Sequence, residues 1–327
     1  MREISTMTPN EDQNQTPTEE TPEAERRDPQ RDMLKSWWQA SRPAFYIATL
    51  APLTLGFTAS VKWGGDYRWG LFVLILLASF LVHLATNLAN DLFDHWQGVD
   101  GGPNIGGSRV IQEGKISPKA LALALFILYG LALALAVAIV NISGQKALWA
   151  LIVFAALSSF FYVAPPVKYG HRALGELFVF LNMGLIMTGG AYLACAGAWD
   201  KGILALALPV SFMVAGILYY QSLPEIDTDL AAGKRTLANQ LGKQGALLVF
   251  ILWWPLVWLL MLMLWLSGLA AWPVCLAPVA LPLHLAAVRK IKAAGDGDWL
   301  PLDRHGHLVR KLYFISGCLL IAAVALN

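Results

Sequence analysis

The sequence predicts an all-α membrane protein, and three observations carry that expectation. The chain of 327 residues is 57% hydrophobic and only 14% charged, with mean hydropathy +0.53, where a soluble domain would be about one quarter charged. Apolar runs near 20 residues, each long enough to cross a hydrocarbon core of about 30 Å, recur along it. Basic residues alternate between rich and poor from one connecting loop to the next. This composition excludes an ordinary soluble enzyme.

Residues 1–32, "MREISTMTPNEDQNQTPTEETPEAERRDPQRD", are rich in Glu, Pro, Thr and Gln. They hold too little apolar surface to offset chain entropy, so a disordered acidic tail is expected. The basic start and apolar core of a signal peptide are missing from this stretch. Residues 33–327 read as one transmembrane domain. It begins with "MLKSWWQASRP", where Trp37 and Trp38 stand beside Lys35 and Arg42, as in a short helix lying among headgroups.

Nine apolar segments follow, at roughly 43–62, 70–90, 119–140, 147–164, 175–196, 203–220, 246–266, 270–288 and 308–325. With the N-terminus placed in the cytoplasm, the loops after segments 2, 4, 6 and 8 hold 14 Lys and Arg residues, from Arg109 to Lys311. The opposite loops hold four, Lys62, Arg68, Lys146 and Lys201. The positive-inside rule therefore predicts a cytoplasmic N-terminus in a cell membrane. Cys195, Cys275 and Cys318 fall in or near apolar segments without metal-like spacing, and are read as packing residues.

Of the 13 acids after residue 32, six lie in two clusters at cytoplasmic ends of segments 2 and 6. The first, in "NLANDLFDHWQGVD", is Asp91, Asp94 and Asp100; the second, in "PEIDTDLAAGKRTLANQLG", is Glu225, Asp227 and Asp229. On a helix Asn87, Asp91 and Asp94 fall within about 60° of one another. Glu225 and Asp229 share a face likewise, and Asp227 points away. Two facing stripes of carboxylate and amide oxygen suit a hard cation such as Mg²⁺, which commonly shares a phosphate-bearing substrate. The text after each cluster repeats a pattern of Gly-x-Arg, two apolar residues and a later Gly (Gly107 and Arg109; Gly233 and Arg235), a weak internal symmetry. Such loops can wrap a ligand, and their cations can meet phosphate.

Simpler readings exist for single residues. An acid at a helix end is often only solvated. "SLPE" at Ser222–Glu225 is a capping-box pattern with Pro224 in the first turn, so Glu225 could cap a restarted helix. His83 and His95 flank the first cluster without a second His or Cys at ligand spacing, and His305 and His307 read as solvated.

These residues resemble the UbiA superfamily of membrane prenyltransferases over nearly all of residues 34–325. The matching stretches are "WWQASRP", "NLANDLFDHWQGVD", "GGSRVIQEGKISP", "YVAPPVKYGHRALGELFVF" and "EIDTDLAAGKRTLANQLG". Within the superfamily they are most similar to the enzymes that prenylate 1,4-dihydroxy-2-naphthoate in menaquinone synthesis. The resemblance implies nine transmembrane helices around a central cavity, with a cytoplasmic cap over the acidic motifs. It also implies a polyprenyl diphosphate bound through Mg²⁺, its tail leaving through a side opening into lipid. The sequence departs from the pattern where the second motif usually carries two asparagines, an arginine and an aspartate. Here those positions hold Gln221, Ser222, Pro224 and Glu225.

The expected chemistry is Mg²⁺-assisted loss of diphosphate, followed by attack of an electron-rich ring on the allyl cation. Asn87, Asp91, Asp94, Asp100, Glu225 and Asp229 are the expected metal ligands. Asp91, Asp94 and Lys168 are the expected catalytic residues, with Asn87, Asn90, Arg109, Lys115 and Lys234 toward the diphosphate. Tyr162 and Tyr169 would shield the cation. Other acceptors (4-hydroxybenzoate, homogentisate, a lipid alcohol, or water) stay open, as does a non-catalytic prenyl diphosphate-binding relative. An ion-coupled transporter would place acids near the bilayer midplane, and the segment centres lack them.

Overall fold

The computed structural model describes residues 29–98 and 106–327. Every described element is helical: α1 (Pro29–Ser41), α2 (Ile47–Gly64), α3 (Trp69–Trp96), α4 (Pro118–Ser143), α5 (Leu148–Phe161), α6 (Gly175–Val179), α7 (Met187–Ala196), α8 (Gly202–Ser222), α9 (Ile226–Ala231), α10 (Leu237–Leu266), α11 (Leu281–Ala294) and α12 (Gly306–Ala325). A π-helical stretch, Phe180–Ile186, joins α6 to α7 in one span. Another nine residues of 3₁₀-helix, Trp272–Ala280, lead into α11.

Seven of these spans are long and apolar enough to cross a bilayer, which makes this a multi-pass membrane protein. An eighth arises if α1 and α2, bent by 52° at their break, count as one. The segment expected at 147–164 is the exception. Its helix α5 has 14 residues, about 21 Å at 1.5 Å per residue, and so falls short of the hydrocarbon core. Each expected apolar segment contains a helix, while the count of full crossings is seven or eight.

Local signals start and stop the helices. Ser117 accepts from the Ala120 amide at 3.2 Å and Pro118 follows it, so "ISP" is the opening of α4. Thr236 and Asn239 form a reciprocal capping box at α10, at 3.2 and 2.9 Å. Gly242, with φ 66°, then kinks that helix before it enters the apolar layer.

The stretch "MLKSWWQAS" is helical, as the last nine residues of α1. Trp38 is 63% exposed, while Ala40 is buried in a cluster that includes Leu88 and Leu92 of α3, and Trp37 packs against that cluster. Outward faces elsewhere carry bare hydrophobics such as Phe126 and Val279, as expected beside lipid. Cys195 packs in the core, but Cys275 and Cys318 are exposed, a correction to their reading as packing residues. In a span whose outer face meets acyl chains, apolar character alone does not tell inside from outside.

Candidate active site

A cavity of about 710 Å³ opens within the helices. Its polar end gathers Arg42, Asn87, Asn90, Asp94, Glu225 and Lys234. Toward its other end the wall turns to Leu133, Ala136, Ile139, Leu151, Ile152 and Met187. One cavity thus offers charge and hydrocarbon together.

The first acidic stripe sits on the last turns of α3. Asp91 is 3% exposed and lies behind the cavity wall. Arg42 forms an ion pair with it, and Ser108 donates to it from the hydroxyl and, at 3.1 Å, from the backbone amide. Asp94 lines the cavity and meets His171 Nε2 at 3.0 Å. Asn87 lines it too, with its Nδ2 buried and without a hydrogen-bond partner. Asp100 lies outside the described residues.

The second stripe is built by a break in the chain. α8 ends at Ser222, and α9 begins after Glu225. The capping box does not form: Ser222 donates back to the Leu218 carbonyl at 3.2 Å, and no side chain caps α9. Glu225 instead faces Lys234 Nζ at 4.0 Å, and Asp229 faces the same ammonium at 3.3 Å. Asp227 points away to Lys243, at 2.8 Å. Burial pushes the Glu225 carboxyl up to about 7, Lys234 opposing and Asp229 adding to the rise. Burial also raises Asp229, against Lys234. Lys234 is raised despite its own burial, because Asp229, Glu225 and Asp94 surround it.

The repeated text has a geometric counterpart. Gly107 and Gly233 both have left-handed backbone, φ 79° and 75°. In each loop the residue after that glycine turns back onto an acid of the preceding helix, Ser108 onto Asp91 and Lys234 onto Asp229.

Other expected residues divide. Tyr162 and Tyr169 line the cavity as an edge-to-face pair, ring centroids 5.3 Å apart, and Tyr169 stacks on Phe178 at 3.9 Å. Lys168 stays off the wall and donates to Gln97 at 2.7 Å. Lys115 is on the surface, held by Gln39 and Glu113 at 2.7 and 2.6 Å. Arg109 has φ 62° and does not contribute to the wall. His95 is exposed, whereas His83 lines the cavity and bonds Thr49 at 2.6 Å. His307 is exposed, but His305 is half-buried with an enclosed Nδ1.

A model of the UbiA prenyltransferase family matches residues 49–302. The chain belongs to the UbiA prenyltransferase family. Relatives of this UbiA protein include a 1,4-dihydroxy-2-naphthoate octaprenyltransferase of Haemophilus influenzae, 31% identical over 64% of this chain and 70% of that protein. A 2-carboxy-1,4-naphthoquinone phytyltransferase of Synechocystis is 26% identical over 88% and 92%. Among solved structures, a UbiA homolog from Archaeoglobus fulgidus bound to GPP and Mg²⁺ superposes with TM-score 0.60 at 18% identity, covering 86% of this chain and 99% of that one. An apo UbiA homolog from Aeropyrum pernix K1 gives 0.65 at 16% identity, over 84% and 97%. These likenesses show a shared fold.

Three contributors to the UbiA site carry little signal in the sequence. Arg42 reaches Asp91 across 49 residues of chain, and its only signal is its place in "SRP" after the surface helix. His171 reaches Asp94 across 77. Glu176, within "ALGELFVF", is a buried acid on the cavity wall, and a single acid inside an apolar run is itself a signal.

Among the described residues no three His, Cys, Asp or Glu side chains close around one point as a finished metal site. The donors nonetheless fit Mg²⁺. Asn87, Asp94 and Glu225 offer hard oxygens to one cavity, and both Asp229 oxygens are buried without a hydrogen bond. A half-built oxygen shell matches a cation that habitually takes water and substrate phosphate as its remaining ligands.

Proposed function

We propose that this UbiA protein transfers a polyprenyl group from an allylic polyprenyl diphosphate to 1,4-dihydroxy-2-naphthoate, with Mg²⁺, at the cytoplasmic side of the cell membrane. The observation that carries this reading is the single cavity with carboxylates and cations at one end and aliphatic side chains at the other. That gradient fits a lipid whose head is a diphosphate.

Asn87, Asp94, Glu225 and Asp229 would hold Mg²⁺, with Asp91 supporting them from α3 and Asp100 joining them as a further ligand. Bound there, Mg²⁺ supplies positive charge that stabilises the departing diphosphate. Lys234 and Arg42 add fixed positive charge on two sides of the polar end, where diphosphate oxygens would displace part of their bonding to carboxylates. The faces of Tyr162 and Tyr169 border the adjoining space, which suits the developing allyl cation. The nine-helix architecture with its cap, and the 1–32 tail, belong to the same proposal.

Mass spectrometry on protein in nanodiscs tests this, with geranylgeranyl or longer diphosphate, Mg²⁺ and three acceptors in parallel: 1,4-dihydroxy-2-naphthoate, 4-hydroxybenzoate and homogentisate. The expected product is a prenylated, decarboxylated naphthoate that disappears with EDTA and drops at least about 100-fold in Asp91→Asn, which strips the half-buried Arg42 at the polar end of its carboxylate. A second reading, transfer to another acceptor, is favoured by Gln221 and Ser222. Both line the cavity, at positions where the resemblance implies asparagines. Product from 4-hydroxybenzoate or homogentisate alone would support it and exclude the naphthoate reading.

A further inference from the structure

Glu176 stands in the first turn of α6, within an apolar span, and lines the cavity. It is 6% exposed, and its Oε1 is enclosed without a hydrogen-bond partner. It belongs to neither acidic stripe, and none of the salt bridges described above uses it. A carboxyl inside a membrane span is costly, and one that faces an internal cavity marks a site by default. A buried acceptor left unpaired is costly too, so its partner is expected to arrive with a ligand.

The surroundings state which ligand. Tyr162 stands at the neighbouring wall, with its hydroxyl 3.4 Å from where a Cβ on Gly175 would lie. Ser222, one of the altered positions of the second motif, lies within hydrogen-bonding reach of the Glu176 carboxyl as well as of the Leu218 carbonyl at 3.2 Å, and Oε1 is the Glu176 oxygen left without a partner. Lys234 is near enough for its charge to be felt at Glu176, and Tyr219 flanks it from α8. One turn and a half further along, Asn182 lines the same cavity. Both its amide protons are engaged, by Ser158 and Phe178 at 2.6 and 2.9 Å, and its Oδ1 is enclosed and unpaired. Between aromatic faces this wall therefore carries two enclosed, unpaired acceptors, Glu176 Oε1 and Asn182 Oδ1, beside the Tyr162 phenol. It repels a second diphosphate and fits an aromatic ring that carries hydroxyl donors.

We infer that the α6 wall is the binding subsite for the aromatic acceptor, and that Glu176 Oε1 accepts the hydrogen bond of a ring hydroxyl. The bond orients the ring toward the diphosphate end. It also draws the hydroxyl proton outward, which leaves the ring richer in electrons for attack. This inference rests on the prenyl-transfer reading and adds the specificity contact to it.

A cycle between residue and substrate tests it. Rates of transfer are measured for wild type, Glu176→Gln and Glu176→Asp with 1,4-dihydroxy-2-naphthoate and with the two analogues that each lack one hydroxyl. Removing a hydroxyl changes ring reactivity equally for every variant, so that effect cancels in the cycle. One of the two deletions should cost wild type roughly 10- to 100-fold more than it costs Glu176→Gln, the size expected of a hydrogen bond to a charged group. Glu176→Asp should recover part of that discrimination. Mg²⁺-dependent binding of geranylgeranyl diphosphate should stay within about threefold in each variant, since the subsite is separate from the diphosphate end. Equal losses for wild type and Glu176→Gln with both analogues would overturn the inference while leaving prenyl transfer standing. Loss of diphosphate binding in both variants would also overturn it, by moving Glu176 to the other subsite or to the fold. Wild type that transfers to none of the three acceptors would instead remove the prenyl-transfer reading on which this one rests.

Discussion

Lys234 meets two carboxylates of one short turn, and the balance among the three sets how the polar end responds to pH. The Glu225 carboxyl, pushed up to about 7 by burial, is easier to protonate in the fold than in an unfolded chain. A raised pKa of this kind contributes stability that is fully present below the ordinary value of 4.5 and is lost as pH rises through 7. Metal-free protein should therefore show a thermal midpoint that falls between about pH 5 and about pH 8, and Glu225→Gln should flatten that slope. Mg²⁺ needs the ionised carboxylate, so its affinity should rise over the same interval. Differential scanning fluorimetry in detergent, with and without Mg²⁺, measures both. Midpoints of wild type and Glu225→Gln that run parallel would show that this carboxyl titrates normally.

At the scale of elements, the cavity depends on helices that approach very closely. Gly184, in the π-helical stretch, faces α8, and a Cβ there would lie 2.0 Å from Ser211 Oγ and 2.4 Å from its Cα. Small residues at such crossings let membrane helices touch backbone to backbone. Gly184→Ala should destabilise by about 3 kcal/mol or more, as overpacking does. Ser211→Gly should fail to rescue it, because the clash with the backbone of residue 211 remains; restored thermal stability in the double variant would place the conflict in the hydroxyl alone. Periodicity and composition made the long helices legible, while the caps at Ser117 and Thr236 emerged only with the fold. The break at Leu223–Glu225 was half legible: the helix does stop, but the motif that suggested a cap makes none. Hydropathy could not tell that α5 ends early. Partners such as Arg42 for Asp91 and His171 for Asp94 join residues far apart in sequence, which no local pattern encodes. Helical spacing predicts a stripe of Asn87, Asp91 and Asp94, but only Asn87 and Asp94 reach the cavity wall while Asp91 turns to Arg42, and that division, like the places of Lys115, Lys168 and Lys234, is seen only in the fold.

For the whole molecule, the proposed cytoplasmic placement of the site rests on the 14-to-four asymmetry of basic residues between alternate loops. In a background without native cysteines, Glu113→Cys should resist a membrane-impermeant maleimide in intact cells, and Lys146→Cys should react. The reverse pattern would put the carboxylates outside. The cavity's grading from carboxylate to methyl also bears on how a turnover ends. A prenyl diphosphate is an amphiphile, anchored at one end by charge and drawn at the other toward hydrocarbon. On the proposed reaction the anchor departs as an ion into water, and the chain is left on a flat, weakly polar ring. Nothing at the polar end then opposes partitioning, and the surrounding bilayer is an effectively unlimited sink for such a solute. Vacating the site becomes extraction into a second phase, so the slow step of the cycle should track bilayer fluidity and chain length in the manner of a partition process.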